Sequence, residues 1–302
     1  MDVRAERTCP SYLGQVTKIS PLAEFLVPDG FAGPKGLRAL SREASVVTEA
    51  IAYRRRLVEE STRHRSRPYA LRRDAGPLGD PVMLVPGFLA GDWTLVPMAR
   101  HLRLLGFRTY RSGILANIGC IDEGTQALEA RLEHIAAKRE RKVTVVGHSL
   151  GGMMARGLAA RRPDLVAGIV TMGSPMLAPG AAHTTLMYAI RVLKRMESLG
   201  LHVMGKDCTE GGCALRMWEE SQLPLPEGFP FTAIYSPRDG IADWRACIDP
   251  AGQAREVRSS HTGMAFDPVV IDIVTETLRQ IHNQPLDRRT VGRILEHERR
   301  AG

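Results

Sequence analysis

One hexapeptide, Gly147-His148-Ser149-Leu150-Gly151-Gly152, holds the residues in this chain best spaced to do chemistry. It contains the G-x-S-x-G spacing of a serine nucleophile carried on a sharp strand-to-helix turn, where the residues two positions to either side must be small. The flanks suit such a turn. Residues 143–146 are a β-branched run, and Met153, Met154, Ala155, Leu158 and Ala159 open a helix after it. The turn forces Ser149 into a strained backbone region and presents its hydroxyl at a helix start, where the dipole favours developing negative charge.

A serine hydroxyl is a weak nucleophile at neutral pH, so a base must take its proton and an acid must hold that base in the right tautomer. An elbow of this kind is followed in chain order by the acid and then the histidine, each after a later strand. Of the nine histidines, His261, His282 and His297 lie beyond the last strand-like runs. His261 directly follows residues 255–260 at a strand end and is the expected base. The turn Pro237-Arg238-Asp239-Gly240 follows the run 231–236, which makes Asp239 the leading acid, with Asp243 four residues on as the alternative. Oxyanion donors are expected from the amides of Leu150, just after the nucleophile, and Phe88, in the loop Val85-Pro86-Gly87-Phe88.

The elements that must position these residues are legible from residue 80 onward, where short β-branched runs alternate with helical stretches. Strands are expected at 82–86, 107–111, 143–146, 166–172, 231–236 and 255–258, and helices at 94–105, 124–139, 150–161 and 268–281. This alternation predicts an α/β fold with a mostly parallel sheet flanked by helices. The stretch 176–230 is too long for an ordinary connection and reads as a helical cap insertion, with Leu186, Ala189, Ile190, Leu193 and Met196 on one helix. The domain reading is therefore an N-terminal Arg-rich helical extension (1–79), a main domain (80–284) and a short charged helical tail (285–302). In the extension, Leu37, Leu40, Ala44, Val47, Ile51 and Val58 keep helical spacing and predict one amphipathic helix packed on the main domain by that stripe.

From residue 80 to about 281 the chain resembles an α/β-hydrolase, close to the bacterial triacylglycerol lipases and esterases. The resemblance rests on Val85-Pro86-Gly87-Phe88, the Gly-His-Ser-Leu-Gly elbow, Thr171-Met172-Gly173-Ser174-Pro175, Tyr235-Ser236 before Asp239-Gly240-Ile241, and Ser260-His261-Thr262-Gly263-Met264. Pro86 stands where the family's common oxyanion loop has histidine. The resemblance implies a serine hydrolase of carboxylic esters that works through an acyl-enzyme on Ser149 and requires no cofactor or metal. An amidase or acyltransferase could use the same triad, and a catalytically silent binding protein could keep the fold. The cap is expected to close over an apolar acyl group, with Leu89, Met187 and Ile190 as substrate contacts.

Composition narrows the partners. The net charge of +8 is spread along the chain, and the densest cluster, Arg54-Arg55-Arg56 with Arg63, Arg65, Arg67, Arg72 and Arg73, is interleaved with acids and holds a single aromatic, Tyr69, where base stacking would use several. No nucleic-acid partner is expected; the expected ligand is a small-molecule or lipid ester, with peripheral membrane contact left open. The longest uncharged run, 165–190, is interrupted by Gly168, Gly173, Pro175, Pro179, Gly180 and His183 and does not read as a membrane span. The first residues carry acids and no apolar stretch of signal-peptide length, so a cytoplasmic location is expected. The five cysteines are irregularly spaced, and Cys208 and Cys213 lack the tight pairs of a zinc site.

Overall fold

A computed structural model describes residues 25–66, 79–200, 203–204 and 207–282. Two helices, α1 (Gly36–Glu43) and α2 (Val46–Ser66), precede the first strand. The main domain then runs β1 (Pro81–Val85), α3 (Val96–Leu104), β2 (Arg108–Arg111), α4 (Ile121–Arg139), β3 (Val143–His148), α5 (Leu150–Arg161) and β4 (Val166–Met172). The insertion contributes α6 (Thr184–Ser198), α7 (Asp207–Glu210) and α8 (Gly212–Gln222), after which β5 (Phe231–Tyr235), β6 (Gln253–Glu256) and α9 (Pro268–His282) complete the domain.

The six strands form one parallel sheet in the order β2-β1-β3-β4-β5-β6. Strands β1 and β3 are buried along their whole length, as continuous apolar runs covered on both faces should be. On one face, Met98 and Leu102 of α3 pack with Val270, Val274 and Leu278 of α9. On the other, Leu128 and Leu132 of α4 pack with Met154 and Leu158 of α5 and Met217 of α8. The chain steps from β1 to β2 on one side and returns to place β3 on the other. The strand order therefore reverses between β1 and β3, and their carboxyl ends open a crevice of the kind in which parallel sheets bind ligands.

Two expectations are corrected. The last strand forms at Gln253–Glu256, two residues earlier than 255–258. Val257 still donates to the Tyr235 carbonyl, after which the chain leaves the sheet to carry residues 258–261 toward the crevice. The N-terminal extension is two helices, broken at Ala44-Ser45, and its apolar stripe faces outward: Leu37 is 83% exposed, Val47 60% and Val58 67%. It packs instead through Ala39, Glu49 and Tyr53, whose hydroxyl donates to the Pro97 carbonyl, because buried backbone donors beneath it need acceptors that an apolar stripe could not supply. The charged tail over 285–302 and the first residues, read above for export, lie outside the described residues. No helix among the described residues is long and apolar enough to cross a membrane.

Candidate active site

Strand β3 ends in the elbow. Ser149 has φ 52° and ψ −123°, a left-handed region that a non-glycine residue occupies only under strain, and its N–H donates to the Met172 carbonyl at 2.8 Å. The turn leaves no room beside it. A Cβ on Gly151 would stand 2.3 Å from the Val85 carbonyl oxygen, and one on Gly147 2.4 Å from the Gly151 carbonyl oxygen. The small neighbours expected from the spacing are thus a steric necessity.

The loop after β1 lies against this turn, since a Cβ on Gly87 would come within 3.0 Å of the Ser149 Cβ. Asn117 pins the loop: its Nδ2 donates to the Pro86 carbonyl at 3.0 Å, and its own carbonyl accepts from Leu89 N at 3.1 Å. Phe88 and Leu150, the expected oxyanion donors, both border the cavity beside Ser149.

Past the ends of β5 and β6, on the same edge of the sheet, His261 Nδ1–H donates to Asp239 Oδ2 at 2.6 Å, with both side chains buried. The second oxygen, Asp239 Oδ1, accepts from Ile241 N at 2.8 Å and Ala242 N at 2.7 Å, which fixes the carboxylate plane. Asp243 is engaged elsewhere. Its carboxylate accepts from Arg245 Nε and Nη2 and from Ala32 N. His282 lies at the opposite end of the sheet, 3.4 Å from Asp80, just before β1, and His297 is outside the described residues.

Burial disfavours a charged His261, but the carboxylates of Asp239 and, more weakly, Glu43 outweigh it and hold the imidazole above the ordinary histidine value. His148 goes the other way: burial, with the nearby His261, pushes it down to about 4. A neutral His148 can donate its Nε2–H to the His261 carbonyl, 2.9 Å away, and the two rings lie 5.0 Å apart. The residue before the elbow serine therefore touches the loop that carries the histidine.

Glu43 and Glu49 are the residues that sequence reasoning missed. Glu43, at the end of α1, accepts through Oε1 from His261 N at 2.9 Å and Gly240 N at 2.9 Å, and through Oε2 from Thr262 N at 3.1 Å. Glu49, on α2, accepts from Ser260 N at 2.7 Å and from the Ser260 hydroxyl. One carboxylate thus ties the acid's loop to the histidine's loop. In the sequence both glutamates read as ordinary charged helix positions, and nothing local marks them. Asn117 carries no motif either.

A cavity of about 160 Å³ opens beside Ser149 under the insertion, and its wall is largely apolar. Met187 and Ile190 of α6 line it as expected, with Met153, Met217 and Trp218. Leu89 is not among the lining residues; it is half-exposed, with φ 61°. At the cavity's edge, Cys120 from the body meets Cys208 and Cys213 from the insertion, their sulfurs all within 4.8 Å of one another, which makes this a group able to hold a metal. A hydrogen bond from Cys208 holds the Cys120 thiol at about 6, with burial opposing.

Residues 128–199 match the family model of the α/β-hydrolase fold. Two triacylglycerol lipases, from Pseudarthrobacter phenanthrenivorans and Burkholderia plantarii, are each 39% identical over 64 residues, which is 21% of this chain. The matched part spans only 20% and 18% of those relatives' lengths. Among solved structures, mature Bacillus licheniformis lipase BlEst2 aligns with a TM-score of 0.53 at 15% identity, over 67% of this chain and 93% of that one. The parallel sheet, the elbow and these likenesses agree: the chain has the α/β-hydrolase fold and resembles the bacterial lipases.

Proposed function

We propose that this protein is a serine hydrolase of carboxylic esters that turns over through an acyl-enzyme on Ser149. The observation that carries this reading is the strained Ser149 elbow at the end of β3 together with a buried His261–Asp239 pair past the ends of β5 and β6, on the same edge of the sheet. With Nδ1–H committed to Asp239, the lone pair of His261 is on Nε2, the nitrogen that takes the hydroxyl proton as Ser149 Oγ attacks the ester carbonyl. The carbonyl becomes a tetrahedral oxyanion, stabilised by the Phe88 and Leu150 amides. Collapse breaks the acyl–oxygen bond, and the His261 proton goes to the leaving alkoxide. Water then attacks the acyl-enzyme by the same route, releasing the acid and restoring Ser149. These steps need no cofactor. The apolar cavity favours an acyl chain over a polar group and excludes water from the oxyanion, which raises the worth of each donor.

A fluorophosphonate probe followed by peptide mapping tests the reading, beside a panel of p-nitrophenyl esters from acetyl to palmitoyl and matching anilides. Stoichiometric labelling of Ser149 with ester turnover is expected. Labelling with anilide turnover dominant would make the protein an amidase, and no labelling would leave a binding protein.

A further inference from the structure

We propose that Cys120, Cys208 and Cys213 form a three-thiolate site for a thiophilic d10 cation, Zn2+ in the first instance, which fastens the cap insertion to the body of the domain. The three sulfurs already lie within 4.8 Å of one another. Around a zinc with bonds of roughly 2.3 Å, three thiolates stand about 3.8–4.0 Å apart, so closure needs shifts of well under an ångström from each side chain. The count favours a cation over a disulfide, since a bridge between any two would leave the third thiol unused in the same cluster.

The surroundings suit anionic sulfur. Cys120 is the N-cap of the 19-residue α4, with that helix's free N–H groups beside it, and Arg216 Nη2 donates to Cys213 Sγ at 3.4 Å. Three thiolates and a divalent ion leave one net negative charge, which the Arg216 guanidinium faces. Cys213 is buried, whereas Cys120 and Cys208 are half-buried, so a fourth position can be filled by water from the open side. In sequence, Cys120 precedes α4 on the body, and the other two belong to α7 and α8 of the cap. The ion would therefore cross-link segments that otherwise meet through apolar packing and the ion pairs Arg216–Asp122 and Arg161–Glu220. Cys208 also borders the cavity, so the fastening sits in its wall.

The test uses the full chain, reduced with a phosphine and stripped of metal with a chelator. Cd2+ is titrated while the sulfur-to-metal charge-transfer absorption is followed, and Zn2+ is measured in competition with a chromophoric chelator. One ion per chain is expected, with absorption of three-thiolate intensity and slower proteolysis between α6 and α8 once it is bound. Cys120→Ser, Cys208→Ser and Cys213→Ser should each weaken binding at least tenfold, whereas Cys9→Ser should not. Near-UV circular dichroism identifies any variant that has lost its fold, and the other two variants then decide. No saturable absorption in the reduced protein, or equal binding by all three variants, would overturn the proposal. So would loss of two titratable thiols on isolation together with failure of the re-reduced protein to take up Cd2+.

Discussion

The two walls around Ser149 are made of different materials. On the histidine side, Asp239, Glu43 and Glu49 together accept from six backbone N–H groups between residues 240 and 262, besides the His261 imidazole. On the insertion side, Met153, Met187, Ile190 and Met217 surround a cavity with little polar surface. Hydrogen bonds are directional and weaken steeply with misalignment, so the first wall fixes positions. Apolar packing has no preferred direction, and methionine in particular adapts, so the second fixes shape and volume. Changes in the first should therefore act on turnover and pH dependence. Changes in the second should act on which acyl chain is accepted.

The largest loss is expected at Ser149 and His261, the proposed nucleophile and base. Ser149→Ala or His261→Ala should lower kcat by about 10⁴-fold or more on p-nitrophenyl butyrate, and the double variant should be little worse than either single, as for residues acting as one unit. Independent, multiplying losses would separate them. Next, Asp239→Asn should cost on the order of 10⁴-fold by favouring the wrong imidazole tautomer, while Asp243→Asn, whose carboxylate serves Arg245 and Ala32, should stay within about tenfold. The reverse result would move the acid.

The sharpest test of the contrast is Glu43→Gln. The charge at Glu43 favours protonated His261, so its removal lowers the His261 value. Because the base must be neutral to act, the acid limb of the kcat/KM profile should move to lower pH. Turnover should fall about tenfold from the loosened loop, with KM little changed. A profile that does not move would make Glu43 a brace only. On the other wall, Met187→Ser and Ile190→Ser should lower activity on octanoyl and longer esters several-fold more than on acetyl esters, measured across the ester panel. Equal losses that track melting temperature would make the insertion packing alone. The smallest effect is expected from Leu37→Gln and Val58→Gln, which should leave unfolding free energy within about 0.5 kcal/mol because both side chains face outward. A large loss would return the stripe to the packed face.

The strands, the flanking helices, the insertion and the elbow were legible in the sequence, because each follows from local patterning. A short apolar run rich in β-branched residues and bounded by turn residues, such as 166–172, reads as a buried strand, and glycines two residues either side of Ser149 are a local steric demand. The meeting of Asp239 and His261 was legible for a related reason: in a parallel sheet, residues just past neighbouring strands such as β5 and β6 converge on one edge. The outward turn of the N-terminal stripe was not legible, because spacing reports that a helix has an apolar face but not whether a sheet edge or a set of unpaired backbone amides awaits it. The reach of Glu43 to His261 across 218 residues, the grip of Asn117 on the Pro86 carbonyl and the meeting of Cys120 with Cys208 and Cys213 were decided only by the tertiary structure. These contacts are set by how strand ends and helices pack together, and no local pattern in a chain encodes a distance between segments so far apart.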